Sequence, residues 1–105
     1  GPRSYDISYA LYRFAPLTVA DDGWVTLAER RARVRMFCDV YGLDASGRAD
    51  AVRAVVARLR GMVAYMHAEA AAGHEAFARH IAEGHDRLYE RDADYVENHL
   101  AEFAI

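Results

Sequence analysis

Apolar residues recur along this chain at intervals of three and four, the spacing that stacks side chains on one face of an α-helix. The clearest stretch is Val52, Val55, Val56, Leu59, Met62, Val63 and Met66, which repeats at the helical period without a gap. It predicts a helix over about 47–72, capped by Asp44 or Ser46 and stopped at Gly73. Gly61 falls inside that helix and costs about 1 kcal/mol relative to Ala, which a close helix crossing would explain.

The same spacing predicts four further segments. A first helix over 4–14 has Ser4 as its N-cap, Asp6 in its first turn and Pro16 as its stop. Ile7, Ala10, Leu11 and Phe14 form one apolar face, and Tyr5, Tyr9 and Tyr12 form a second stripe. A helix apolar on so much of its circumference belongs inside something. Ala15 to Thr26 reads as a loop, broken by Pro16 and Asp21-Asp22-Gly23. Thr26 and Glu29 then open a helix over 27–41 in the manner of a capping box, with Leu27, Val34, Phe37, Cys38 and Tyr41 near one face and Gly42 as its stop. A short segment over 75–83 and a longer one over 85–103 follow, separated or kinked by Gly84. The longer one is packed through Leu88, Tyr95 or Val96, Leu100 and Phe103. Alternating strand patterns are nearly absent. The fold class is therefore all-α, four to five helices in an orthogonal or antiparallel bundle forming a single domain over 1–105.

Composition narrows the chemistry. The chain has 105 residues, enough for one modest core. Its net charge of -3 argues against a nucleic-acid partner, which would need a basic surplus. All thirteen basic residues are Arg. Without Lys there is no Schiff-base amine, no P-loop lysine and no kinase-type phosphate lysine in this stretch of chain. The single Cys38 cannot form an intrachain disulfide and reads as a core thiol. With no long apolar run and no leader pattern, no membrane partner is expected and the expected location is cytoplasmic.

The candidate chemistry is sparse. His74 and His80 are six apart, whereas a zinc-protease pair needs four, so no metal site is expected. Glu83, Asp86, Glu90, Asp94 and Glu97 follow one another at spacings of 3, 4, 4 and 3. On an unbroken helix these carboxylates form one acidic face, a candidate surface for a cationic ligand or partner. Its alternative reading is a solvated face balanced by Arg87 and Arg91. Arg30, Arg31, Arg33 and Arg35, like Arg48, Arg53, Arg58 and Arg60, read as solvated faces that pair with acids. No Gly-rich phosphate loop or nucleophile elbow is present, so no catalytic residue is assigned.

The run from Gly1 to Leu17, GPRSYDISYALYRFAPL, resembles the C-terminal lobe of aminoglycoside phosphotransferase-family kinases. The stretches FCDVYGL (37–43) and EGHDRLYERD (83–92) are similar to actinobacterial-type members. The resemblance implies the second part of such an enzyme, its substrate-side helical subdomain. The catalytic His-x-Asp-x-x-x-x-Asn loop, the metal-binding Asp and the nucleotide lobe would lie upstream of Gly1. ATP and Mg would then be cofactors of the intact enzyme and not of this chain, which alone would not be catalytic. The partners implied are a small hydroxyl-bearing and possibly cationic substrate, and the missing N-terminal lobe. Asp6 matches the acid that braces the catalytic loop in this family. Asp86, Glu90, Asp94 and Glu97 would offer the substrate surface. The alternative is a non-catalytic helical interaction or oligomerisation module, self-associating through Tyr5, Tyr9 and Tyr12.

Overall fold

The computed structural model describes the backbone of residues 2–19 and 25–104, and side chains at 7–19 and 25–104. Tyr5 and Asp6 lie on a described backbone but outside the described side chains, and the Asp21-Asp22-Gly23 breaker lies outside the described residues altogether.

The fold is all-α. The helices run α1 (Pro2–Phe14), α2 (Leu27–Val40), α3 (Ala45–Ala71), α4 (Glu75–Ala82), α5 (His85–Asn98) and α6 (Leu100–Phe103). The central element is α3, which every other helix contacts. Its 27 residues span about 40 Å at 1.5 Å per residue, which accounts for the longest dimension of 43 Å. The shortest dimension, 19 Å, is two helix layers.

Local chemistry sets most boundaries. The Thr26 side chain accepts a hydrogen bond from the Glu29 backbone N–H at 3.1 Å, and that of Asp44 accepts from the Gly47 N–H at 2.8 Å. Asp44, not Ser46, is thus the cap of α3. Gly42, Gly73 and Gly84 all take positive φ, where a side chain would be strained, and they end α2, α3 and α4.

Three expectations change. The first helix starts at Pro2, so Ser4 lies inside it and is not its cap. Proline suits a first turn, because its φ is preset and it lacks an N–H that would have no partner there. The last predicted helix is two elements, because the backbone at His99 leaves helical geometry (φ -110, ψ 18). Asn98 and His99 are weak helix formers, and the break lets α6 turn against α2 and α3 with Phe103 buried. Finally, Gly61 meets no close helix crossing: a Cβ built there would have no atom within 4 Å.

The core joins Leu11, Ala15, Leu17, Val34, Phe37, Cys38, Val52, Val55, Leu59, Ala93, Val96 and Phe103. The stripe on α3 is buried as its period requires, except that Val56 and Met62 are half-buried. On α1 the inward positions are Ser8 and Leu11, while Ala10 and Phe14 face outward. Beyond α1, Ala15 and Leu17 enter the core although they belong to the connecting loop.

Candidate functional site

A cleft of about 590 Å³ opens between α3, α4 and α5. Gly61, Met62, Tyr65 and Met66 line it from α3, Phe77 and His80 from α4, and His85 and Tyr89 from α5. The volume falls in the range of small-molecule sites. Its rings form a connected wall. Tyr65 meets Phe77 edge-on at 5.4 Å and 88°, Phe77 meets His80 at 6.1 Å, and the His80 and His85 rings lie 5.2 Å apart. Helix α4 buries none of its residues fully, so its aromatic side is turned to this space and not into a core.

The cleft was missed by sequence reasoning because its residues come from three helices. Phe77 and His80 share a face of α4, and Met62, Tyr65 and Met66 share one of α3, but only the turn at Gly73 brings these faces together.

The predicted acidic face is interrupted at one position. Asp86 is buried, and its Oδ2 lies 2.9 Å from His67 Nε2 on α3. Burial pushes the Asp86 carboxyl up, but hydrogen bonds from the Arg87 backbone and His67, with the charges of both residues, outweigh it and hold it below the usual aspartate value. Asp94 and Glu97 are both held by Arg60, at 3.0 and 2.8 Å. These two hydrogen bonds also raise the Arg60 guanidinium. Glu83 lies 3.5 Å from His85 at the cleft rim, and Glu90 is exposed. The stripe is therefore interrupted at Asp86, which turns toward His67 of α3, while Glu90, Asp94 and Glu97 stay exposed with Arg60 of α3 against the last two.

The tyrosines divide in a similar way. Tyr12 is half-buried and its hydroxyl donates to Asp92 Oδ2 at 2.6 Å. Burial first, then the hydrogen bond and charge of Asp92, push the Tyr12 hydroxyl far above its ordinary value. Tyr9 is more exposed and lies beneath the Arg58 guanidinium, 4.6 Å from the ring centre. Both line a smaller recess of about 250 Å³ with Arg13, Thr18, Leu88 and Tyr89. Tyr12 is thus turned to the interior.

Asp92 is fully buried and also accepts from the Val19 backbone N–H at 2.8 Å. Arg30, expected on a solvated face, is 6% exposed. Its Nε donates to the Pro16 carbonyl, one terminal nitrogen to the Thr18 carbonyl and the other to the Tyr95 hydroxyl, at 2.9, 2.9 and 3.1 Å. The guanidinium also lies 5.3 Å from the Tyr95 ring centre. A carbonyl-rich loop that turns into the core needs such donors, and a planar fork supplies several at once. Arg35 and Arg53 do pair with acids at the surface, Asp39 and Asp50.

The other reactive groups are accounted for locally. Cys38 is buried in the core, and burial pushes its thiol up, away from the reactive thiolate. His74 bonds Glu69 and His99 bonds Glu102. Among the described residues no group of three His, Cys, Asp or Glu is placed to hold a metal ion. Among them, too, no helix is long and apolar enough to cross a membrane. Compared with protein-family models, curated proteins and solved structures, the chain matches none.

Proposed function

We propose that this chain is the acceptor-side helical subdomain of a small-molecule phosphotransferase and supplies a binding cleft but no catalytic group. The observation that carries this reading is the cleft between α3, α4 and α5: formed, ligand-sized, and lined with the rings of Tyr65, Phe77, His80, His85 and Tyr89. The resemblance of GPRSYDISYALYRFAPL, FCDVYGL and EGHDRLYERD to aminoglycoside phosphotransferase-type kinases supports the phosphoryl-transfer part. In this reading ATP and Mg are bound by upstream residues, and this chain orients the hydroxyl-bearing acceptor. Orientation alone contributes strongly to phosphoryl transfer, where little covalent work falls to the protein.

The test is twofold. The reading frame upstream of Gly1 is expected to encode a His-x-Asp-x-x-x-x-Asn loop followed by a metal-binding Asp. In the enzyme so defined, Phe77→Leu is expected to raise KM for the acceptor with KM for ATP unchanged. An in-frame stop just before Gly1, or a KM effect confined to ATP, would remove the reading.

A second reading is favoured by a different surface. Phe14, Met36, Val40 and Tyr41 are exposed, and Phe14, Phe37 and Tyr41 form a ring ladder at 6.0 and 4.7 Å. As a self-association face this would make the chain an oligomerisation module. Light scattering is the measure: a dimer converted to monomer by Val40→Glu supports it, and a monomer at high concentration refutes it.

A further inference from the structure

We infer that the ligand of the α3/α4/α5 cleft carries a flat, uncharged ring system and is not a polycation. The inference rests on the reading of this cleft as the acceptor site and adds the chemical class.

The lining residues carry the argument. Neither a carboxylate nor a guanidinium is among them. Of the acids next to the lining residues in sequence, Asp86 is engaged with His67, Glu83 lies at the rim with His85, and Glu90 is exposed but does not line the cleft. Asp94 and Glu97, further along α5, are held by Arg60. A polycation would leave water for a cavity whose walls give it rings and thioethers and no carboxylate, which is unfavourable. A flat aromatic ligand gains in the same place. Tyr65, Phe77 and Tyr89 offer faces and edges for offset or edge-on contact, and Met62 and Met66 supply adaptable thioether surface. The imidazoles of His80 and His85 and the two tyrosine hydroxyls are the polar groups available to a ligand hydroxyl or carbonyl.

Gly61 provides an independent observation. It sits within a 27-residue helix, where glycine costs about 1 kcal/mol relative to alanine. Nothing in the fold uses its small size, since a Cβ there would touch no atom within 4 Å. What the missing side chain does is widen the cleft it lines. A site that gives up helix stability to stay open is one shaped for an occupant.

The experiment is calorimetric titration of the chain with 2-naphthol, with decahydro-2-naphthol and with neomycin. The second retains the hydroxyl and approximate size but loses flatness, and the third is a polycation. For the unaltered chain, 2-naphthol is expected to bind about tenfold more tightly than its saturated counterpart, the size of one good aromatic contact. Gly61→Leu, which puts a side chain into the cleft from α3, is expected to abolish 2-naphthol binding, and Gly61→Ala to weaken it less. Phe77→Leu is expected to reduce the preference for the flat ligand. Circular dichroism checks that each variant is folded. Equal binding of the two naphthols, or neomycin binding that Gly61→Leu removes, would overturn the flat-ligand inference while leaving the cleft as the acceptor site. No binding by any of the three, or 2-naphthol binding untouched by Gly61→Leu, would overturn both.

Discussion

The two ends of the bundle treat their aromatic and polar groups in opposite ways. Where the loop after α1 meets α2 and α5, polar groups of the described residues close on one another. Tyr12 and the Val19 N–H meet Asp92, and Arg30 meets two carbonyls and the Tyr95 hydroxyl. Where α3, α4 and α5 meet, Tyr65, Phe77, His80, His85 and Tyr89 stand around about 590 Å³ of open space. The first end is built to be closed. The second tolerates a glycine that weakens its own helix. The contrast separates residues that hold the fold from residues left over for a ligand, and it does so without reference to any homologue.

The strongest way to break the closed end is Asp92→Ala. It takes the acceptor from two part-buried donors at about 1–2 kcal/mol each, so a loss of about 2–3 kcal/mol is expected as a lower urea midpoint. An unchanged midpoint would mean that Asp92 does not organise this end. Next comes Arg30→Met, expected to lower stability by about 2 kcal/mol, with Arg30→Lys recovering less than half. Lysine keeps the charge but cannot reach two carbonyls and a hydroxyl from one planar fork. Full rescue by lysine would show that charge, and not geometry, matters there.

Tyr12→Phe is expected to cost about 1–2 kcal/mol near neutral pH. Its pH signature is more specific. The hydroxyl loses its proton at higher pH in the folded chain than in the unfolded one, so between the two values the folded state binds more protons. Its contribution is therefore complete below about pH 10 and is lost as pH rises above that. Stability measured from pH 8 to 11.5 should fall at the upper end for the unaltered chain and fall less for Tyr12→Phe. Parallel curves for the two would refute the coupling.

The smallest effect has the opposite sign. Gly61→Ala, at the open end, is expected to stabilise the chain by up to about 1 kcal/mol. Its thermal midpoint would rise by a few degrees, about 4–8 °C per kcal/mol for a domain of this size. A destabilised Gly61→Ala would mean that the glycine serves packing, and the contrast between the two ends would weaken.

The helices were legible because their causes are local. Apolar spacing marks α3, Thr26 and Asp44 cap their helices through side-chain acceptors, and Gly73 and Gly84 stop helices through positive φ. The break at His99 was not legible, since Leu100 and Phe103 continue the apolar spacing beyond it and only packing against α2 and α3 turns them. Arg30 shows the same limit. Beside Arg31 it belongs to a basic helix face by sequence, and the polar carbonyls that draw it inward come from residues 16 and 18. The acidic face of α5 was a correct spacing with an incomplete meaning, because His67 and Arg60, which engage three of its acids, lie on α3.

Sequence alone set the all-α class, the approximate positions of α2, α3 and α4 and the absence of lysine chemistry in this stretch. Helix formation depends on neighbours within a turn, and composition needs no folding at all. Tertiary structure alone decided which charges are engaged and where rings are left facing open space. Those outcomes depend on side chains from different helices, such as Tyr12 with Asp92 or Tyr65 with Phe77, and no periodicity along one helix encodes which other helix will face it.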